Sequence, residues 1–369
     1  MKTNYKVKLL LLISFVFYTL HGQKLDNKNI KQDLLKNIFE NPDLVIKNTT
    51  LLIKETKNIQ DIVGYYIIMS DAYVSKREYS KALTNLEEAS ILMPKDNSVE
   101  TQYSLLKLNN KIASLYYQMS MYEKAISQIE AYYSKFDILP KVDSITLIKG
   151  STTALKGLIY REKLGCKIAL PYFEDALAIY KNINSKASKI NSSIVYYNYA
   201  KCYLELNNYE LAKKYHTISF ELGSQVGKGS LQAYPLKGLA NVYIKQNNYA
   251  TALDYLLQAE EISKDVGDRI LKNGIYTDIS EIYLKLGDKK NFILYNSKAT
   301  IEGDLVKKSQ LNYITSSLNS ILKQENQDLQ SNKEKFNYKL YSTIFIVSFI
   351  CIILCIVIFS LLKKIKKMM

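Results

Sequence analysis

The chain has 369 residues, 47% of them hydrophobic and 23% charged, which is too apolar for a disordered polymer and long enough to bury a core. Thirteen Gly and five Pro leave little of the turn chemistry that an all-β fold needs, so helix is expected. The formal net charge of +15 invites a nucleic-acid reading, but Lys2, Lys6, Lys8, Lys363, Lys364, Lys366 and Lys367 sit at the two ends without a carboxylate, and residues 23–340 carry a net charge of only +8. That balance fits a solvated mixed-charge surface, and no nucleic-acid partner is expected.

The first segment, residues 1–22, has a basic start, an apolar stretch from Leu9 to Leu20 and the small Gly22 before a polar sequence. It predicts a secretory signal peptide cleaved after Gly22. Residues 23–63 predict an N-terminal helical cap, in which Asn41 and Pro42 supply a helix start by capping and by the fixed φ of proline.

From residue 64 to residue 303 a fourteen-residue pattern recurs six times, starting at Ser70, Ala113, Gly157, Ala200, Ala240 and Ser280. Its first residue is always small and its fourth always tyrosine: Tyr73, Tyr116, Tyr160, Tyr203, Tyr243 and Tyr283. The tenth is tyrosine in four copies, and the thirteenth is Ala82, Ala125, Ala169, Ala212 and Ala252 in five. The logic is that of a helical hairpin, in which small residues let two helices cross closely and aromatics fill the gaps between hairpins. The tyrosines recur every 40 to 44 residues, which leaves room for extra turns and for connections such as NINSKASKINS and GSQVGKGS.

After the repeats, residues 304–340 predict a helical stalk, and the 3-4-3 apolar spacing of Leu311, Ile314, Leu318 and Ile321 suits a coiled coil. Residues 342–362 contain no charge, long enough as a helix to cross a hydrocarbon core of about 30 Å, so a transmembrane helix is expected over 341–362. The KKIKK that follows opens a basic tail, residues 363–369, on the cytoplasmic side. The expected topology is a single span in the inner (cytoplasmic) membrane, with the repeats on the periplasmic, extracytoplasmic side and the C-terminus in the cytoplasm.

The repeated residues resemble the tetratricopeptide repeat, whose pattern has a small residue, Tyr, a turn, an aromatic, Ala, a bulky residue, Ala and often Pro. The first copy carries the pattern through Leu86, Ala89 and Pro94. The third substitutes Cys166 and places Pro171 early in its second helix. The sixth departs at Lys289 and Phe292, as suits a terminal repeat. The resemblance implies an all-α, right-handed superhelical solenoid of helical hairpins whose first helices line a concave groove. It implies groove positions at Asn110, Tyr117, Tyr197, Lys201, Tyr234, Lys237 and Asn241. Lys237 and Asn241 match two of the five places with which some relatives clamp a terminal carboxylate, but Asp278 stands where the next repeat should supply Asn, so the clamp is incomplete. The groove tyrosines suit ligand contact and packing equally.

Catalytic chemistry is scarce. His216 is the only histidine after residue 22 and holds a bulky packing place, and there is no Gly-rich phosphate loop or metal-binding spacing. No enzymatic activity, cofactor or metal site is expected. Cys166 and Cys202 are near enough in the pattern for a disulfide, although apolar Ala72, Leu115, Ile159, Val242 and Ile282 at the places equivalent to Cys202 make burial a sufficient reason for it. The architecture resembles the sensor half of bacterial membrane-anchored regulators. The expected function is a receptor-like or scaffolding interaction module that binds a protein or peptide in its groove and works with a separate membrane or cytoplasmic signalling partner. Two alternatives are a structural assembly factor for an envelope complex and a membrane-anchored regulator truncated before its output domain.

Overall fold

The computed structural model describes residues 27–38 and 41–368. The expected signal peptide, residues 1–22, lies outside them. Every described element is a helix. Two compact units are present, one up to Tyr313 and one from Ile314.

The first unit opens with α1 (Asn27–Asn37) and α2 (Pro42–Glu55). The side chain of Asn41 accepts the Leu44 N–H at 3.2 Å and Pro42 stands in the first turn, as the capping chemistry requires. The next helix, α3 (Ile59–Ser75), begins before the expected repeat boundary at residue 64, because Asn58 caps it by accepting the Asp61 N–H at 3.1 Å. Six hairpins follow. The first pairs α3 with α4 (Tyr79–Leu92), and the second pairs α5 (Val99–Gln118) with α6 (Tyr122–Tyr133), followed by the single turn α7 (Lys135–Ile138). The third is α8 (Asp143–Leu164) with α9 (Cys166–Tyr180), and the fourth α10 (Lys186–Glu205) with α11 (Tyr209–Val226). The fifth is α12 (Gly229–Lys245) with α13 (Tyr249–Ser263), and the sixth α14 (Arg269–Lys285) with α15 (Lys289–Met368).

One turn design closes five hairpins. The eighth residue of the pattern is left-handed, with φ between 57° and 59° at Arg77, Ser120, Asn207 and Asn247 and 78° at Gly287. The next N–H then reaches back to the carbonyl of the invariant tyrosine, in Glu78 to Tyr73, Met121 to Tyr116, Asn208 to Tyr203, Asn248 to Tyr243 and Asp288 to Tyr283, all at 2.8–2.9 Å. This satisfies carbonyls that the helix end leaves open. The third hairpin shifts the bend by one residue, to Gly165 with φ 88°.

Packing follows the pattern. The first residues Ser70, Ala113, Ala200, Ala240 and Ser280 and the five alanines of the thirteenth place are buried. At Gly157 a Cβ would fall 2.7 Å from the Phe173 ring, which is why that place is small. The extra residues of the long period went into helix rather than loop. Most of the segment expected to connect the third and fourth hairpins is the first turns of α10, which starts where Ser185 accepts the Ser188 N–H. The connection from α11 to α12 is only Gly227 and Lys228, since Gly227 adopts a left-handed C-cap. Pro171 lies inside α9 without ending it.

In α15, Tyr295 and Ala299 are buried as the second helix of the sixth hairpin. Among the described residues no helix is long and apolar enough to cross a membrane. Side chains at 351, 354–357 and 359–369 lie outside the described residues, and so does Ile314 and Ile321 of the expected stalk pattern, so the span over 341–362 and the basic tail remain expectations of the sequence.

Candidate functional site in the groove

First helices of successive hairpins touch one another, α5 with α8, α8 with α10, α10 with α12 and α12 with α14, whereas no two second helices make comparable contact among the described residues. The hairpins therefore fan out with their first helices on the inner side, and the groove is built from α5, α8, α10, α12 and α14.

Four of the seven expected residues are gathered there. Tyr197 and Lys201 stand one turn apart on α10, and Tyr234 and Lys237 on α12. The rings of Tyr197 and Tyr234 meet edge-on at 5.5 Å, Tyr197 also packs 5.6 Å from His216, and the Lys201 ammonium lies 5.9 Å over the Tyr197 ring. The Tyr234 hydroxyl donates to Asp268 at 2.7 Å. Asp268 also caps α14 by accepting the Leu271 N–H at 3.0 Å, so a single carboxylate fixes both a ring and a helix start. Between these helices lies a cleft of about 300 Å³, walled by Ile194, Tyr197, Leu231, Tyr234 and Pro235, with Asn198 and Asp268 among its polar groups.

Three basic side chains on these helices, Lys237, Arg161 and Lys201, differ in their electrostatic state. Lys237 pairs with Asp278 at 2.7 Å, and burial holds the Asp278 carboxyl above its usual range despite that partner. The ion pair occupies the would-be clamp lysine, and the Asn241 amide beside it on α12 makes no hydrogen bond among the described residues. Arg161 on α8 donates to Asn198 at 2.8 Å and pairs with Glu162 at 2.6 Å. Lys201 has no ion-pair partner among the described residues, and burial, followed by the charge of Arg161, holds its pKa below the ordinary lysine value. The Tyr197 phenol is pushed up to about 12, first by burial and then by Asp268 and Asp278 against the pull of Arg161. An unpaired, partly desolvated cation beside an aromatic cleft is a site for an anionic group adjoining an apolar one.

The other expected residues are separate. Asn110 accepts from Thr152 at 3.0 Å and donates to Ser151 at 3.1 Å, tying α5 to α8. Tyr117 lies 6.0 Å from the Tyr122 ring, and burial raises its pKa. The sequence reading missed Arg161, Asn198 and Asp268. Arg161 holds the fifth place of its repeat, as Tyr117 does, which is the signal that could have found it. Cys166 and Cys202 form a disulfide, with Cα atoms 5.1 Å apart, so Cys202, whose place burial alone would explain, is also covalently joined to Cys166 across the third and fourth hairpins. His216 is fully buried, and neither ring nitrogen has a hydrogen-bond partner among the described residues.

Residues 191–265 match the tetratricopeptide repeat family model, a segment running from α10 through α13 that contains the residues named for the cleft except Asp268. No curated protein matches the chain. Among solved structures, a Rap protein complexed with competence and sporulation factor is similar with a TM-score of 0.54 and 14% identity, covering 88% of this chain and 92% of that one. NprR in complex with its cognate peptide NprX gives 0.52 and 16% identity over 81% and 86%. BtubC (BKLC) from P. vanneervenii gives 0.51 and 17% identity over 63% and 92%. The fold is a tetratricopeptide-type helical solenoid.

Proposed function

We propose that the chain is a membrane-tethered, extracytoplasmic interaction module that holds an extended peptide or partner segment in the cleft between α10 and α12, and acts as a receptor or scaffold with a separate partner. The observation that carries the reading is the cleft itself: Tyr197 and Tyr234 wall it and the unpaired Lys201 lies beside it. Two similar folds are described in complexes, NprR with its cognate peptide and a Rap protein with competence and sporulation factor, which favours a ligand-holding groove. Export and tethering are supported by the apolar leader, the uncharged stretch 342–362 and its basic exit. The Cys166–Cys202 disulfide accords with an oxidising compartment. The test is photo-crosslinking in intact membranes, with a light-activated phenylalanine analogue at position 197 or 234 and, as control, at exposed Glu221 on α11. A discrete adduct from 197 and 234 only is expected; the same adducts from all three positions would contradict the groove.

A further inference from the structure

The cleft between α10 and α12 carries a charge of its own. Among the described side chains that wall it, Asp268 is the one with a formal charge, and Lys201 lies outside that wall, one turn beyond Tyr197. The neutral polar groups are largely engaged already. The Asn198 side-chain oxygen accepts from Arg161 at 2.8 Å and its amide donates to the Ile194 carbonyl at 2.8 Å. The Ser193 and Ser219 hydroxyls donate to each other's backbone carbonyls at 2.8 and 2.7 Å. Asp268 keeps capacity. One of its oxygens accepts from the Tyr234 hydroxyl and the other from the Leu271 N–H, whereas a carboxylate offers about four lone-pair sites. It has no ion-pair partner among the described residues, and the neighbouring Arg269 pairs instead with Glu302 at 3.2 Å.

We infer that this cleft takes a basic side chain, lysine or arginine, of the bound segment, with its stem against Tyr197, Tyr234 and the aliphatic wall and its charged head on Asp268. Such an occupant presupposes the groove binding proposed above and gives it a chemistry. A wall that is apolar except for one carboxylate matches a side chain that is apolar along its stem and positive at its tip, and the two tyrosine rings attract the same charge. The start of α14, which Asp268 caps, offsets only about half an elementary charge, so the site stays negative. Burial first, and the charge of Asp268 second, push the Tyr234 phenol up, which keeps its hydroxyl a donor to the carboxylate. An acidic head would instead set two carboxylates together in a partly desolvated cleft. Asp268 is bonded to one ring of the tyrosine pair and Lys201 lies over the other. A segment that crosses the pair therefore meets a carboxylate at Tyr234 and an ammonium at Tyr197, which fixes its direction: basic residue at α14, acidic residue at Lys201.

The experiment offers the full chain, in mild detergent, a synthetic library of random N-acetylated octapeptides on beads, so that a positive charge can come only from a side chain. Asp268→Asn is the informative variant, because asparagine still caps α14 and still accepts from Tyr234 while the charge is gone. Peptides retained by the unsubstituted chain, and not by Tyr197→Ala combined with Lys201→Ala, should be enriched in lysine or arginine. Exchanging that residue for norleucine in a retained peptide should weaken binding about tenfold in the unsubstituted chain and less than about twofold in Asp268→Asn. Retained peptides without a basic residue, or an equal cost of norleucine in both chains, would overturn the inference and leave the groove standing. If the unsubstituted chain retains nothing that the double variant does not, the groove reading itself falls, and this occupant with it.

Discussion

The imidazole of His216 fills the place that other repeats give to Leu86, Ile129, Phe173 and Leu256, all fully buried. Its ring lies against the backbone of the next hairpin's first helix, where a Cβ on Gly238 would be 2.2 Å from it. Burial first, and the charge of Lys201 second, lower its pKa from 6.5 to about 3. Below pH 6.5 the unfolded chain takes up a proton that the folded chain refuses until about pH 3, so the unfolded state binds more protons in this window and stability falls as the pH drops through it. At about 1.4 kcal/mol per unit, this single residue removes roughly 4 kcal/mol by about pH 3.5. His216→Leu should therefore flatten the acid limb of the stability curve, followed by denaturant unfolding at several pH values; an unchanged slope between pH 6.5 and 4 would contradict the assignment. That His216 packs was legible from its place in the repeat. That Gly238 makes room for it was not, because the requirement belongs to a contact between hairpins and leaves no mark within either one.

At the scale of elements, a hairpin is closed by the tyrosine carbonyl and the left-handed residue that follows it, and it is held to its neighbours by small residues at the crossing. The recurrence of tyrosine and alanine made the hairpins legible, because each copy repeats the same packing problem. The lengths of the first helices were less so: Asn and Ser in residues 182–192 suggested a loop, whereas Ser185 capping turned most of it into α10. The disulfide could be weighed but not decided, since the buried place of Cys202 is satisfied by any apolar side chain and only the spatial approach of Cys166 distinguishes a bond. It joins residues 36 apart in sequence, and loop-closure entropy assigns such a link about 3–4 kcal/mol. Cys166→Ser with Cys202→Ser should lower the unfolding free energy by that order, and intact mass of the native chain should fall by two hydrogens relative to the reduced one. Equal stability of the two forms would show that the link constrains nothing the packing does not already hold.

Over the whole molecule, the solenoid was readable because its periodicity is written six times, and that periodicity is also what assigns Tyr197, Lys201, Tyr234 and Lys237 to the first helices. The state of each group was not readable. Asp278 neutralises Lys237, Asp268 holds Tyr234, Arg161 binds Asn198, and Lys201 is left without an ion-pair partner among the described residues. They span different hairpins, so no single repeat announces them. The central claim, that this cleft is where a partner segment binds, is tested most directly by titration calorimetry of the segment recovered by crosslinking, comparing the unsubstituted chain with Tyr197→Ala combined with Lys201→Ala and with Glu221→Ala on the outer side. Loss of an aromatic anchor and its neighbouring cation should weaken binding at least 30-fold, about 2 kcal/mol, in a chain that remains folded at the assay temperature, while Glu221→Ala binds as the original does. Equal affinity of all three chains would contradict the account.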